Sequence, residues 1–143
     1  MPEFEYIERK PTVDELFALR KSVGWGTGEN AAFEKGLNNS LYGICVLNDG
    51  EIVGTARIVG DGSTCFYIQD VIVKPEYQKQ GIGFEMMKTV MNYIETNACS
   101  GAVVGLMAAI GKEGFYEKFG FWLRPNEKFG HGMMQFWKKP NIC

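Results

Sequence analysis

The sequence predicts a mixed α/β sandwich, an antiparallel meander followed by one parallel crossover, and three observations predict it. Asn48-Asp49-Gly50 and Asp61-Gly62 are tight-turn signals set between apolar runs. Phe66 to Val73 is almost continuously apolar, which suits a strand covered on both faces. A helical stretch separates it from a second apolar run, Ala102 to Met107, and a strand–helix–strand of that length implies parallel pairing.

Taken in order, Phe4 to Glu8 alternates apolar and polar residues and reads as an edge strand. Thr12 and Glu15 have the spacing of a capping box, with Thr12 as N-cap and Glu15 at N3. Val13, Leu16, Phe17 and Val23 then mark one helix face, ending near Gly24. Trp25-Gly26-Thr27-Gly28 is a loop bearing a large aromatic, and Asn30 to Leu37 reads as a second short helix. Leu41 to Leu47 and Glu51 to Val59 are the strands on either side of Asn48-Asp49-Gly50. Phe66 to Val73 completes the meander and is stopped by Pro75, which has no N–H to give a ladder. Phe84, Met87, Val90, Met91 and Ile94 recur at helical spacing through 83–97. After the strand at 102–107, Gly114 to Phe119 is a short helix with Gly120 as its C-cap candidate. Phe121 to Leu123 and Met133 to Lys138 read as two further strands around the loop 125–132.

Composition bounds the function. A chain of 143 residues that is 45% hydrophobic, with a net charge of −2, reads as one domain over 1–143 with a sizeable core. That charge argues against nucleic-acid binding through bulk electrostatics and is compatible with a cationic small substrate. Cys45, Cys65, Cys99 and Cys143 form no C-x-x-C pair, which fits reduced thiols in a cytoplasmic protein. The acidic opening Met1-Pro2-Glu3 has no apolar leader behind it, and no apolar run is long enough to span a membrane. His131 is the only histidine, so no metal site is expected, and there is no G-x-S-x-G elbow.

The loop Gln78-Lys79-Gln80-Gly81-Ile82-Gly83 joins the apolar strand to the long helix. Such a loop delivers several backbone N–H groups to the positive end of a helix, and its glycines admit an anion closely. It is either a phosphate cradle or an ordinary turn. A Rossmann-type nucleotide site would instead place G-x-G-x-x-G after the first strand.

The segment 71–83, with Gln78, Gly81 and Gly83, resembles the acyl-CoA-binding signature of the GCN5-related N-acetyltransferases, the GNAT family: Arg or Gln, two residues, Gly, one residue, Gly or Ala. Gly114-Phe115-Tyr116-Glu117-Lys118-Phe119-Gly120-Phe121 resembles that family's tyrosine-bearing helix followed by Gly-Phe. The element order agrees over essentially the whole chain. The resemblance implies an α/β fold with a mixed, six- to seven-stranded sheet, about four flanking helices and a splayed parallel pair, 66–73 and 102–107. It implies an N-acetyltransferase with acetyl-CoA as cosubstrate and no metal. Main-chain groups of Val71 and Val73 would bond the pantetheine arm. Gln78, Lys79, Gln80, Gly81, Ile82, Gly83 and Phe84 would surround the pyrophosphate. Where the family often has Asn, seven residues before the helix tyrosine, this chain has Ala109, so one side-chain contact to pantetheine is missing or replaced.

Acetyl transfer from a thioester to an amine needs a neutral amine, a donor for the developing oxyanion and a proton for the leaving thiolate. By the resemblance, Tyr116 is the acid and the Val71 N–H the oxyanion donor; otherwise Tyr116 is a core tyrosine. Asp70 interrupts an apolar strand, where a carboxylate is costly unless paired or facing a cavity. Strand alternation puts it with Phe66, Ile68 and Ile72. It is a general base, an anchor for the amine or a structural partner of Arg57. Trp25, Asp70 and Arg57 are the acceptor-site residues, with Trp25 roofing the pocket or packing on the surface. His131 is a weaker candidate base. The expected acceptor is a primary amine of a small molecule, attacking directly in a ternary complex. A protein amine, or a non-catalytic acyl-CoA-binding module on the same scaffold, is the alternative. The apolar C-terminal stretch could serve a homodimer.

Overall fold

A computed structural model describes residues 3–139. Five strands and four helices form in it: β1 Glu5–Ile7, α1 Val13–Ser22, α2 Asn30–Asn38, β2 Tyr42–Asn48, β3 Glu51–Gly60, β4 Cys65–Val73, α3 Ile82–Asn97, β5 Val103–Leu106 and α4 Glu113–Glu117. A short 3-10 turn, Pro75–Tyr77, lies between β4 and α3. The chain gathers into two compact units, the first ending at Met107 and the second opening at Ala108.

The first unit holds the whole sheet, in the order β1-β2-β3-β4-β5. The first four strands pair antiparallel, and β4 and β5 pair in parallel, as the meander and crossover require. Asp49 and Gly50, at φ 53° and 80°, turn the chain between β2 and β3. These left-handed values suit Asp-Gly and disfavour most other pairs. α1 starts at a complete capping box: the Thr12 hydroxyl accepts from the Glu15 N–H, and the Glu15 carboxylate accepts from the Thr12 N–H. Arg9 donates to both Glu15 oxygens, at 2.8 and 3.0 Å, which ties β1's exit to the start of the helix.

Each face of the sheet has its own core. Leu16, Leu19 and Leu37 from α1 and α2 pack with Cys45, Ile52 and Ile72 on one face. On the other, α3 buries Ile82, Met86, Met87, Val90 and Ile94. Gly54 of β3 faces this helix; a Cβ there would lie 3.4 Å from the Met86 sulfur and 3.5 Å from a Ile82 methyl. Each fully buried side chain of this size contributes about 1.5–3 kcal/mol relative to exposure. The helix phase differs from the expected one by a small rotation. Met86 is inside, whereas Phe84 is 44% exposed with Lys88 over its ring.

The sheet has five strands rather than six to seven. Phe121–Leu123 and Met133–Lys138 are not strands. The first of these leads into local bonding that competes with a ladder. Asn126 Oδ1 accepts from the N–H groups of Lys128 and Phe129, and Arg124 Nε donates to the Gly130 carbonyl at 2.7 Å. Trp122 stacks on Phe129 at 5.5 Å. The second is rich in apolar residues but has no ladder partner among the described residues, and Phe136 and Trp137 are 91% and 77% exposed. Among the described residues no helix is long and apolar enough to cross a membrane. Cys45, Cys65 and Cys99 are free thiols; Cys143 lies outside the described residues.

Candidate active site

β4 changes character halfway. Phe66 to Ile68 has β3 on one edge and β5 on the other, and the parallel pairing stops at Ile68 opposite Leu106. From Gln69 to Val73, among the described residues, only β3 remains as a strand partner. Along an antiparallel ladder, alternate residues turn their N–H and C=O to the same neighbour. The Lys74 N–H donates to the Val53 carbonyl. That phase aims Ile72 and Lys74 at β3, and Val71 and Val73 at the open side. The Val73 carbonyl accepts from the Gln78 side chain at 2.9 Å, which brings this glutamine to the strand's open edge.

The change coincides with a bulge. Thr55 faces Ile72 and Arg57 faces Gln69, so two steps along β3 are matched by three along β4. Asp70 absorbs the extra step at φ 55°, a left-handed value that costs a non-glycine residue energy. The bulge corrects the face expected for Asp70. Directly opposed residues share a face, so Ile68 lies with Ile58, one step from Arg57 and on the other side. Asp70 instead reaches Arg57, on the face where Ile72 meets Leu16 and Leu19.

The Asp70 carboxylate is 1% exposed, and each of its oxygens accepts from a different guanidinium. Arg57 Nε donates to Oδ2 at 2.9 Å and Arg20 Nη1 to Oδ1 at 2.7 Å. Charge-assisted bonds to both oxygens are what make such a buried carboxylate tolerable. Arg57 Nη1 also donates to the Ser40 hydroxyl, which in turn donates to the Gly36 carbonyl. Arg20 Nε donates to the Gly26 carbonyl at 2.6 Å, and its guanidinium lies 5.9 Å from the Trp25 ring and 5.4 Å from Phe33. Trp25 is 37% exposed and its main-chain N–H donates to the Arg20 carbonyl. The structure therefore joins Trp25, Arg57 and Asp70 through Arg20, which sequence reasoning missed. Its position was the available signal: four residues after buried Leu16, it continues a buried helical stripe with a charge.

Beyond β4, Lys79 and Gly81 both take left-handed backbone, at φ 65° and 84°. Gly81 is the N-cap of α3 and gives it no side-chain bond. The Glu85 N–H bonds to the Gly81 carbonyl, closing the first helical turn. The first N–H groups of a helix have no intrahelical acceptor and face outward along the axis. Gln78, Lys79, Gln80 and Gly81 are exposed, Ile82 is buried and Gly83 is half-buried, so the backbone rather than a side chain lines this corner. A Cβ at Gly81 would meet nothing within 4 Å, leaving open space above the turn. The corner fits a phosphate-bearing group.

The second unit carries the other expected residues. Tyr116 sits on α4, buried, with its ring edge-on to Phe115 and Phe121. Burial raises its phenol above the ordinary value of 10.0. Ala109 is exposed in the turn before α4, its carbonyl accepting from the Lys112 N–H. His131 lies in an exposed loop. In the first unit, burial pushes the Cys45 thiol up to about 11, which leaves it inert as a nucleophile near neutral pH. Among the described residues no three His, Cys, Asp or Glu side chains gather as a metal-binding group.

Comparison with known proteins bears on this geometry. Residues 10–121 match the model of the acetyltransferase (GNAT) family. An uncharacterized, ycf52-like N-acetyltransferase of Prochlorococcus marinus is 33% identical over 115 residues, covering 78% of this chain and 63% of that protein. The match thus spans less than two thirds of that relative's length. A Staphylococcus aureus protein described as a probable acetyltransferase is 32% identical, with a TM-score of 0.86 over 94% of this chain and 100% of that one. A GNAT family acetyltransferase of Streptococcus pneumoniae is 28% identical, with a TM-score of 0.78 over 96% and 100% of the two chains. With the family model matched across most of its length and a parallel strand pair that parts beside a glycine-capped helix, the chain belongs to the acetyltransferase (GNAT) family.

Proposed function

We propose that this chain, acting as one acetyltransferase domain, transfers the acetyl group of acetyl-CoA to the primary amine of a small molecule by direct attack in a ternary complex. The observation that carries the reading is the half-open β4: its pairing with β5 ends at Ile68, and Val71 and Val73 turn their main-chain groups to the gap. Acetyl-CoA supplies the activated acyl group and a thiolate leaving group. The chain's own part is to bind, orient and move protons. Main-chain groups of Val71 and Val73 hold the extended arm as a further strand would be held. The N–H groups of residues 79 to 84 hold the pyrophosphate at the start of α3, beside the side chain of Gln78. The Val71 N–H faces the oxyanion, and Tyr116 donates the proton that the thiolate needs.

In this proposal Asp70 is the structural partner of arginines rather than the general base. Both of its oxygens are engaged by arginines, so it is a positioning residue that sets the bulge and aims Arg20 and Arg57. The amine's proton leaves through water. Trp25 and Arg57 border the acceptor. A cytoplasmic setting goes with this proposal. The test is thiol release from acetyl-CoA across a panel of primary amines, with acetyl-CoA affinity measured in parallel. Amine-dependent release is expected; tight acetyl-CoA binding with no turnover of any amine would replace the enzyme with an acyl-CoA-binding module.

A further inference from the structure

The inference names the class of acceptor and rests on the reading above. Its ground is a charge imbalance. Arg20, Arg57 and Asp70 form one cluster, two guanidiniums against one carboxylate, with side chains 18%, 13% and 1% exposed. The other ion pairs among the described residues join Glu15 to Arg9, Glu51 to Lys74 and Glu85 to Lys88, so none brings a second acid to this cluster. A largely desolvated group of net charge +1 is costly without a counter-charge.

The donor count points the same way. A guanidinium has five N–H donors on three nitrogens. Arg57 directs Nε to Asp70 and Nη1 to Ser40, and Arg20 directs Nη1 to Asp70 and Nε to the Gly26 carbonyl. Each arginine thus has two nitrogens fixed and Nη2 without a protein acceptor among the described residues. The Ser40 proton is committed to the Gly36 carbonyl, so its lone pair faces Arg57 and holds that fork in place. Two planar forks, held at fixed angles with one nitrogen of each left over, suit the oxygens of a carboxylate or phosphate. The location is apt as well. Asp70 immediately precedes Val71, whose main chain faces the gap, and the strained bulge is what turns the carboxylate to the arginines.

We infer that the acceptor is an amine that also bears an anionic oxygen group, recognised by Arg20 and Arg57, with Trp25 packing over Arg20 beside it. A polycationic acceptor would place further positive charge against the cluster and is selected against. The overall charge of −2 had been compatible with a cationic substrate; the local charge here has the opposite sign and is the one an acceptor meets.

The experiment compares matched amines by CoA release: 3-aminopropionate with its amide, 2-aminoethyl phosphate with ethanolamine, and spermidine. The anionic member of at least one pair is expected to exceed its neutral partner about tenfold or more in kcat/KM. The two pairs separate a carboxylate from a phosphate acceptor. Arg20→Met should erase the preference, and Arg20→Lys should restore part of it, while acetyl-CoA affinity stays unchanged in both. Thermal stabilisation of the CoA-saturated protein by the same compounds gives a readout that does not depend on turnover. Turnover with equal rates within both pairs, or best with spermidine, overturns the inference and leaves the acetyltransferase reading intact. Stabilisation by the anionic compounds that Arg20→Met abolishes, with no turnover of any amine, upholds the anion site and overturns the acetyltransferase reading instead.

Discussion

The two halves of β4 share one strand and little else. Phe66 to Ile68 is held on both edges, whereas Gln69 to Val73 has, among the described residues, a single strand partner, a bulge and a residue in left-handed backbone. The first half places Phe66 and Ile68 in the core, 1% and 2% exposed. The second half turns main-chain groups to an edge that β5 does not cover, where the Val73 carbonyl accepts from the Gln78 side chain. The difference teaches where this fold keeps its stability and where the proposed function puts its chemistry: hydrogen bonds withheld from the ladder are what that proposal gives to a ligand, and the intact half beside them keeps the open half in register.

If that division is right, substitutions should separate cleanly. Phe66→Ala, in the paired half, should cost about 3–5 kcal/mol of stability in urea unfolding, while the folded fraction binds acetyl-CoA with unchanged affinity. Lost affinity in the folded fraction would mean the halves are not separable. Tyr116→Phe should lower turnover about a hundredfold with little change in acetyl-CoA affinity. Burial raises its phenol above the ordinary value, so the acid form persists over the alkaline range in which the amine loses its proton, and the wild-type rate should climb there. The variant should show the same climb to a lower rate; an unchanged rate would make Tyr116 a packing residue. Gly81→Val, past the open half, forces a β-branched residue to φ 84° and should weaken acetyl-CoA binding at least about tenfold, with about 1–2 kcal/mol of lost stability. Retained affinity would remove the loop from the phosphate site. Thr12→Ala breaks the capping box of α1, away from both halves. It should cost about 1 kcal/mol by thermal unfolding and leave turnover per folded molecule as it was.

Much of the framework could be read from residue types alone, because its signals are local. The capping box at Thr12 and Glu15, the Asp49-Gly50 turn and the periodicity of α3 each lie within a few residues and need no partner to be recognised. What escaped was set by distant neighbours. The bulge at Asp70 is a mismatch between β3 and β4, and alternation within one strand cannot reveal it. Arg20 meets Asp70 across fifty positions of chain, and its helix face was the only hint. Met133 to Lys138 is rich in the apolar residues a strand would use, but a strand needs a ladder, and the five paired strands of the first unit do not include it. The left-handed glycine turn at 81 was legible, since a glycine ahead of a helical stretch is a local signal. The Arg20–Asp70–Arg57 cluster was not, because it is assembled from α1, β3 and β4.

The left-handed backbone at position 70 has one more consequence. Only a short alphabet of side chains occupies that conformation readily: glycine first, then asparagine and aspartate. Of these, aspartate alone offers two charged oxygens to two arginines. A related chain could therefore keep the bulge and lose the carboxylate by moving to asparagine or glycine, without rebuilding the strand. The letter at this position then reports on the arginines and on what they face rather than on the fold. If the arginines read the acceptor as proposed, sorting relatives by this letter would sort them by acceptor.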